Sequence, residues 1–267
     1  MDLTDKRVLI TGGSSGIGLA TAQVMIEAGM RAVITGRRPG LVAAAVGRLR
    51  ASGGDVHGIA ADVTTSEGRA ATLSAAINNL GGLDVLVNNA GGVRAGRLED
   101  TSEAEIRAMI EVDLVAPILL TRAALPALGA SGAGLVVNIT SGIALFGVPF
   151  YATYAAAKAG LARFGEALRR ELKGEGVHVL TVYPGGTDTP MMKTNRAGPE
   201  LGFGRKLPSA VANEILAGIQ ADAFEVPRGA ELDKRIAMNR EDPEAVDQRF
   251  LGFKAALAEA VRDHSAL

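Results

Sequence analysis

Short runs of consecutive apolar residues alternate with longer stretches in which apolar positions recur every three or four residues, and this alternation continues along most of the chain. The runs at 7–11, 32–35, 56–60, 83–87, 134–140 and 177–182 predict strands, and Phe224-Glu225-Val226 predicts a last, short one ahead of Pro227-Arg228-Gly229. Between them the spacing predicts helices from Leu19, over 40–51, from Ser66, over 101–128, through Tyr154 to about Gly174, and over 207–220. Strands that are apolar throughout are covered on both faces, the condition of a parallel sheet between two helix layers. The predicted fold class is α/β: a doubly wound parallel sheet in three α/β/α layers.

Within 101–128, Ser102 and Glu105 form a capping box, Pro117 should disturb the helix interior, and Asp113 reads as exposed. Residues 190–207 mix Met191 and Met192 with glycines and basic side chains without periodicity, and read either as a mobile lid over a substrate or as a surface loop. Residues 230–267 are charged but space Leu232, Ile236, Val246, Phe250, Leu251 and Phe253 as one or two amphipathic helices, packed on the domain or on a partner subunit. No repeat or low-complexity linker divides the chain, so 1–267 reads as one domain with a helical C-terminal extension.

Composition narrows the chemistry. A chain of 267 residues, 48% apolar, can build a substantial core without staples. Cysteine is absent, which excludes a thiol nucleophile, a thiolate metal site and a disulfide framework. His57, His178 and His264 stand far apart and outside any ligand spacing, so no metal site is expected. The 28 basic and 29 acidic residues nearly cancel, which argues against nucleic acid or an acidic membrane as partner and for a small ligand. No apolar run reaches the length of a membrane span, and the N-terminus enters the first strand without a signal-like segment; a cytoplasmic protein is expected.

The first strand runs into Gly12-Gly13-Ser14-Ser15-Gly16-Ile17-Gly18 and then a helix. Strand, glycine turn and helix in that order form a phosphate site, because glycine lets the backbone approach an anion and the first helical N–H groups are unpaired. The second strand ends in Gly36-Arg37-Arg38, where an acidic residue would hold ribose hydroxyls. Glycine removes bulk and charge there, and two guanidinium groups suit a 2′-phosphate, so NADPH is favoured over NADH, with a solvated basic turn as the alternative. Asp62 either accepts from an adenine amino group, with Val63 against the ring, or caps the following helix. At the end of the fourth strand Asn88 can brace neighbouring strands, while Asn89, Ala90 and Gly91 leave room for a nicotinamide ribose.

The fifth strand delivers Ser141 at its carboxyl edge, where open parallel sheets bind ligands. Tyr154 and Lys158 follow at a spacing of four, on one helix face, and read on their own as an aromatic body beside a snorkelling stem or as a chemical pair. After the sixth strand, the turn from Pro184 and Gly185 through Thr187 to Thr189 can bring backbone and hydroxyl groups to a ligand. Leu145 to Phe150, with Met191 and Met192, suggest either an apolar substrate pocket or core packing.

Taken in order, Thr11 to Gly18, Asp62-Val63, Asn88 to Gly91, Ser141, Tyr154 to Lys158 and Pro184 to Thr189 resemble the motif set of the classical short-chain dehydrogenase/reductase family, over about residues 5–190. The resemblance implies a Rossmann fold, a nicotinamide cofactor, hydride exchange with a carbonyl or alcohol, and assembly as a homodimer or homotetramer. It implies Tyr154 as general acid or base, Lys158 lowering its pKa and binding the nicotinamide ribose, Ser141 holding the substrate oxygen, and Thr189 holding the carboxamide end. The chain departs from the family at Asp113, where an asparagine commonly anchors a proton-relay water; aspartate keeps acceptor capacity, loses the donor and favours a protonated Lys158.

Overall fold

The computed structural model describes residues 2–226 and 230–267. The predicted strands form a six-stranded parallel sheet from β1 (Arg7–Thr11), β2 (Arg31–Gly36), β3 (Val56–Ala60), β4 (Val85–Asn88), β6 (Gly134–Ile139) and β7 (Val177–Val182), in the order β3-β2-β1-β4-β6-β7. The intervening helices are α1 (Gly16–Glu27), α2 (Pro39–Ala51), α3 (Ser66–Leu80), α4 (Glu103–Ile110), α5 (Ala116–Ala130), α6 (Ala152–Glu171) and α7 (Pro208–Gln220).

Strand periodicity sorts the core into two layers. Val8, Ile10, Ile34, Val85, Val87 and Val137 meet Ala22 and Met25 of α1 and Val211 and Ile215 of α7. Their alternate neighbours Leu9, Val33, Leu86 and Val136 meet Ala76 of α3, Leu120 and Ala124 of α5 and Leu168 of α6. The chain winds outward from β1 to β3 and then returns to lay β4 on the other side of β1. That reversal leaves a crevice at the carboxyl ends of β1 and β4.

Four local readings change. The stretch 101–128 is not one helix: α4 begins at the expected Ser102–Glu105 capping box, and a π-turn over Glu111–Val115 separates it from α5. Pro117, second in α5, has no N–H for the carbonyl of Asp113, and the widened turn accommodates that loss. Asp113 faces inward and is fully buried, not exposed. Among the described residues Phe224–Val226 makes a single parallel bridge, Glu225 opposite Thr181, in which Thr181 N–H bonds to the Phe224 carbonyl and Val226 N–H to the Thr181 carbonyl.

The C-terminal segment forms α8 (Ala230–Glu241) and α9 (Pro243–Val261), and a short strand, β8 (Ser265–Ala266), pairs antiparallel with β5 (Val93–Arg94). Two-residue strands carry no periodicity, so the β5–β8 pair has no sequence signal. Residues 190–207 contain two 3-10 turns, Pro190–Thr194 and Pro199–Leu201, and Arg196 N–H bonds to the Ala260 carbonyl of α9. The predicted turn at Pro227-Arg228-Gly229 lies outside the described residues.

At the opposite sheet edge Asp84 is 4% exposed and accepts from Arg7 Nε at 2.6 Å, Arg7 Nη2 at 3.0 Å and the Arg7 N–H at 2.8 Å. Burial alone would raise this carboxyl, but the Arg7 bonds hold it below the ordinary carboxylate range. A folded-state pKa below the unfolded one stabilises above the unfolded value, and the contribution is lost as pH falls through the folded value. Asp84→Ala should therefore cost about 2–3 kcal/mol near neutral pH, the partner Arg7 being part-exposed. In urea titrations the gap to the parent should close as pH drops below the ordinary carboxylate range.

Candidate active site

The glycine turn after β1 is held from below by the end of β4. Thr11 Oγ1 donates to the Val87 carbonyl at 3.2 Å and accepts from the N–H groups of Asn89 and Ala90 at 2.9 and 3.0 Å. Asn89 Nδ2 returns a bond to the Thr11 carbonyl at 2.8 Å. Gly12 and Gly16 occupy the left-handed region at φ 65° and 55°, and a Cβ at Gly12 would meet Asn89 Nδ2 at 2.9 Å. Gly18 serves packing instead of the cleft: a Cβ there would lie 2.6 Å from the Gly12 carbonyl oxygen. Ser15, the N-cap of α1, makes no side-chain capping bond, so it does not occupy the first N–H groups of the helix, and Ser15, Gly16 and Ile17 line the crevice. Asn88 turns the other way and donates to Thr121 Oγ1 and Asn138 Oδ1, each at 2.9 Å, bracing β4 against α5 and β6.

The crevice opens into a cleft of about 220 Å³ lined by Gly12, Ser14, Ser15, Gly16 and Ile17, by Arg37, Arg38, Asp62 and Val63, by Asn89, Ala90 and Gly91, and by Tyr154, Lys158 and Thr189. At its outer end Gly36 is required, since a Cβ would stand 2.8 Å from Ser14 Oγ. Arg37 and Arg38 are exposed. Asp62 Oδ1 accepts from Thr64 N–H at 3.0 Å and Thr64 Oγ1 at 2.8 Å, while Thr65 caps α3; the capping alternative for Asp62 falls away.

Pro184, Gly185 and Thr187 stand off this lining: the Pro184 carbonyl accepts from Gly142 N–H, and buried Thr187 bonds back to the Gly185 carbonyl at 3.0 Å. Sequence reading missed Val112, Ile139 and Thr140, which also line the cleft. Ile139 and Thr140 lie just ahead of Ser141 and Val112 beside Asp113, so proximity in sequence was the available signal.

At the inner end α6 presents Tyr154 and Lys158 toward the end of β6. Lys158 is 4% exposed; its Nζ donates to the Ile139 carbonyl at 3.2 Å, lies 3.0 Å from Asp113 Oδ1 and sits 5.8 Å from the Tyr154 ring centroid. Asp113 Oδ1 also accepts from Gly92 N–H at 3.2 Å, while Oδ2 has no partner among the described residues. Burial pulls Lys158 down, but Asp113 and Tyr154 outweigh it and raise its pKa, so the ammonium form holds. Burial pushes Asp113 up and Lys158 opposes it.

Tyr154 departs from expectation. Its phenol is raised, first by burial; Lys158 and the Ser141 hydroxyl pull it down, and Asp113 pushes it up. Ser141 is half-buried and accepts weakly from Ile143 N–H at 3.4 Å, leaving its hydroxyl beside Tyr154.

The apolar residues divide. Val148, Phe150 and Met191 join Ile143, Tyr151 and Tyr154, with Phe203, Phe253 and Leu257 closing the same cluster. Phe146 is buried and packs on Phe250 at 5.9 Å, whereas Leu145 opens on a separate cavity beside Arg163 and Asp233.

The model of the family described as short chain dehydrogenase matches residues 6–200. The chain belongs to this family. Among similar short chain dehydrogenases, a ketoacyl reductase, HetN, from Nostoc sp. is 34% identical over 259 residues, covering 94% of this chain and 90% of its own. A solved actinorhodin polyketide ketoreductase with NADPH superposes at a TM-score of 0.76 with 29% identity, covering 83% of this chain and 94% of its own. A short-chain dehydrogenase/reductase from Burkholderia phymatum in complex with NAD superposes at 0.83 with 24% identity, covering 92% and 96%, a likeness of fold alone. The chain is thus an oxidoreductase of the short chain dehydrogenase type, with Tyr154 and Lys158 lining the inner end of the cleft.

Gly91 keeps the buried pair together, since a Cβ there would stand 2.6 Å from Asp113 Oδ1 and 3.3 Å from Lys158 Nζ. Gly91→Ala should push the two groups off their positions and lower unfolding stability by about 2 kcal/mol, measured by chemical denaturation.

Proposed function

We propose that the protein is an NADPH-dependent carbonyl reductase, also able to run the reverse alcohol oxidation, for a small substrate with an apolar portion. The observation that carries this is one continuous cleft with Arg37 and Arg38 at its outer end and Tyr154 and Lys158 at its inner end. The residues fit a phosphorylated dinucleotide. Neither guanidinium has a hydrogen-bond or salt-bridge partner among the described residues, no carboxylate occupies position 36, and the turn at Gly12 has no room for a side chain.

When bound, the nicotinamide supplies or accepts the hydride. The Gly12–Ile17 turn would hold the pyrophosphate, Asp62 and Val63 the adenine, Asn89, Ala90, Gly91 and Lys158 the nicotinamide ribose, and Thr189 the carboxamide end, with Pro184, Gly185 and Thr187 supporting that last loop. Ser141 donates a hydrogen bond to the substrate oxygen, where negative charge grows. Tyr154 gives its proton to that oxygen in reduction and takes it back in oxidation. The apolar wall of Val148, Phe150, Met191 and Phe203 holds the rest of the substrate, and residues 190–207 act as its lid over the single catalytic domain.

The reductase names of the Nostoc relative and the polyketide ketoreductase, the latter with NADPH, favour this direction and cofactor. A second reading, NAD(H) as cofactor, is favoured by the NAD-bound Burkholderia structure. Among the described residues no helix is long and apolar enough to cross a membrane; action in the cytoplasm as a homodimer or homotetramer is part of the proposal and rests on family membership.

The double variant Arg37→Ala/Arg38→Ala should weaken NADPH binding about 10–100-fold and leave NADH binding nearly unchanged, by calorimetric titration. Equal affinity of the parent for both cofactors would instead support the second reading. Tyr154→Phe should retain cofactor affinity and lose turnover at least about 100-fold in a screen of varied carbonyls and alcohols.

A further inference from the structure

A lysine beside a phenol stabilises the phenolate, because a positive monopole favours the ionised form. Around Tyr154 that monopole is opposed by a carboxylate, in addition to the burial that already disfavours the phenolate. The Asp113 carboxylate lies 3.0 Å from Lys158 Nζ, and both side chains are almost completely shielded from solvent. What Tyr154 meets is therefore an ammonium–carboxylate pair, not a lone ammonium.

Other groups around the phenol do not restore the positive field. Ser141, from the end of β6, contributes a hydroxyl. The Ile139 carbonyl and the Gly92 N–H bind Lys158 and Asp113 respectively. Tyr151, one turn earlier on α6, is itself buried, pushed up by burial, and engaged by Asn195 Nδ2 at 2.9 Å. Arg205, from the 190–207 segment, acts on Tyr151 and on His264, and His264 from the C-terminal strand is buried with its pKa lowered to about 4, so it carries no charge near neutral pH.

We propose that Asp113 is a positioning and charge-setting residue that holds Tyr154 in its protonated form by neutralising Lys158, and so fits the site to donate a proton, the reductive direction. This rests on the carbonyl-reductase reading above. In that direction the Tyr154 O–H bond breaks, the substrate oxygen gains the proton, and the phenolate left behind is reprotonated from solvent. A phenol that stays protonated to higher pH keeps this step available over a wider range, and makes the reverse step, which starts from phenolate, demand a more alkaline solution. The geometry also gives the aspartate its place: Gly91 leaves room for it, and the π-turn ahead of Pro117 turns it inward.

The test uses the whole protein without cofactor. The chain has three tyrosines and no tryptophan, so the tyrosinate absorbance of Tyr154 can be assigned as the difference between titrations with and without Tyr154→Phe. Asp113→Asn keeps shape and removes charge; Asp113→Ser removes charge with a smaller side chain and serves if the asparagine variant does not fold. In the neutral variant the Tyr154 tyrosinate should appear about one pH unit or more lower than in the parent, and should vanish when Tyr154→Phe is added. With cofactor and a carbonyl found by screening, the alkaline limb of the reduction profile and the acid limb of the oxidation profile should move down by the same interval. Superimposable tyrosinate titrations of parent and folded neutral variant would overturn the proposal. A parent with no turnover on any carbonyl or alcohol would refute the carbonyl-reductase reading on its own, while the titration still decides the role of Asp113.

Discussion

An ammonium group buried at the end of a parallel sheet is the constraint on which the inner half of the cleft depends. Lys158 reaches inward from α6 and has little contact with water, so its charge is stable there only if protein acceptors replace the hydration it loses. Two do: the Ile139 carbonyl, released because β6 ends there, and the Asp113 carboxylate. Each fixes something further. The carbonyl ties α6 to the strand that delivers Ser141, and the carboxylate ties α6 to the turn between α4 and α5. The third condition is space, met by Gly91. The lysine is thus a strut as well as a charge, and Tyr154, one helical turn earlier, takes its orientation from it.

The outer half depends on a different device. Thr11 and Asn89 stitch the ends of β1 and β4 together where the winding of the sheet reverses, and this fixes the path of the Gly12–Gly18 turn. Continuously apolar strands and a glycine turn are strong local signals, so the fold and this end of the cleft were legible in the sequence. The order β3-β2-β1-β4-β6-β7 was not read from them, because right-handed crossovers restrict the winding without deciding where it reverses. What was not legible depends on contacts between distant segments. Asp113 looked exposed because an acidic residue in a helix interior usually is; only the π-turn and the lysine 45 positions later make burial possible. The net direction of the Tyr154 shift was missed because its largest cause, burial, is set by the packing around the start of α6. Thr65 rather than Asp62 as cap, the single bridge at Glu225, and the β5–β8 pair were likewise set by neighbours with no periodic trace.

The substrate side is built by a third group of contacts, which draw the 190–207 segment and the C-terminal strand toward the start of α6. Asn195 Nδ2 donates to the Tyr151 hydroxyl, Thr194 Oγ1 shares a hydrogen with His264 Nδ1 at 3.2 Å, and Arg196 pairs with Asp263. His264 remains neutral because burial and the nearby arginines oppose its protonation, and a neutral ring can pack edge-on against Tyr151 at 6.1 Å without bringing a charge into an apolar cluster. The segment read as a lid is therefore anchored at Thr194, Asn195 and Arg196 and again at Lys206, whose backbone pairs with Gly186 and Asp188.

These three devices separate chemistry from shape. The family match ends at residue 200, and it contains the lysine strut, the stitched strand ends, Ser141 and Tyr154. Phe203, Phe253 and Leu257, which close the apolar wall, all lie beyond it. Those residues pack in the cluster that holds Tyr151, Tyr154 and Met191, whereas Lys158, Asp113 and Gly91 lie outside it, so a change in them reshapes the apolar wall and leaves the buried ion pair in place. Selection for a new substrate can therefore act on α9 and the preceding loop while Lys158, Asp113 and Gly91 stay fixed by the cost of an unpaired buried charge.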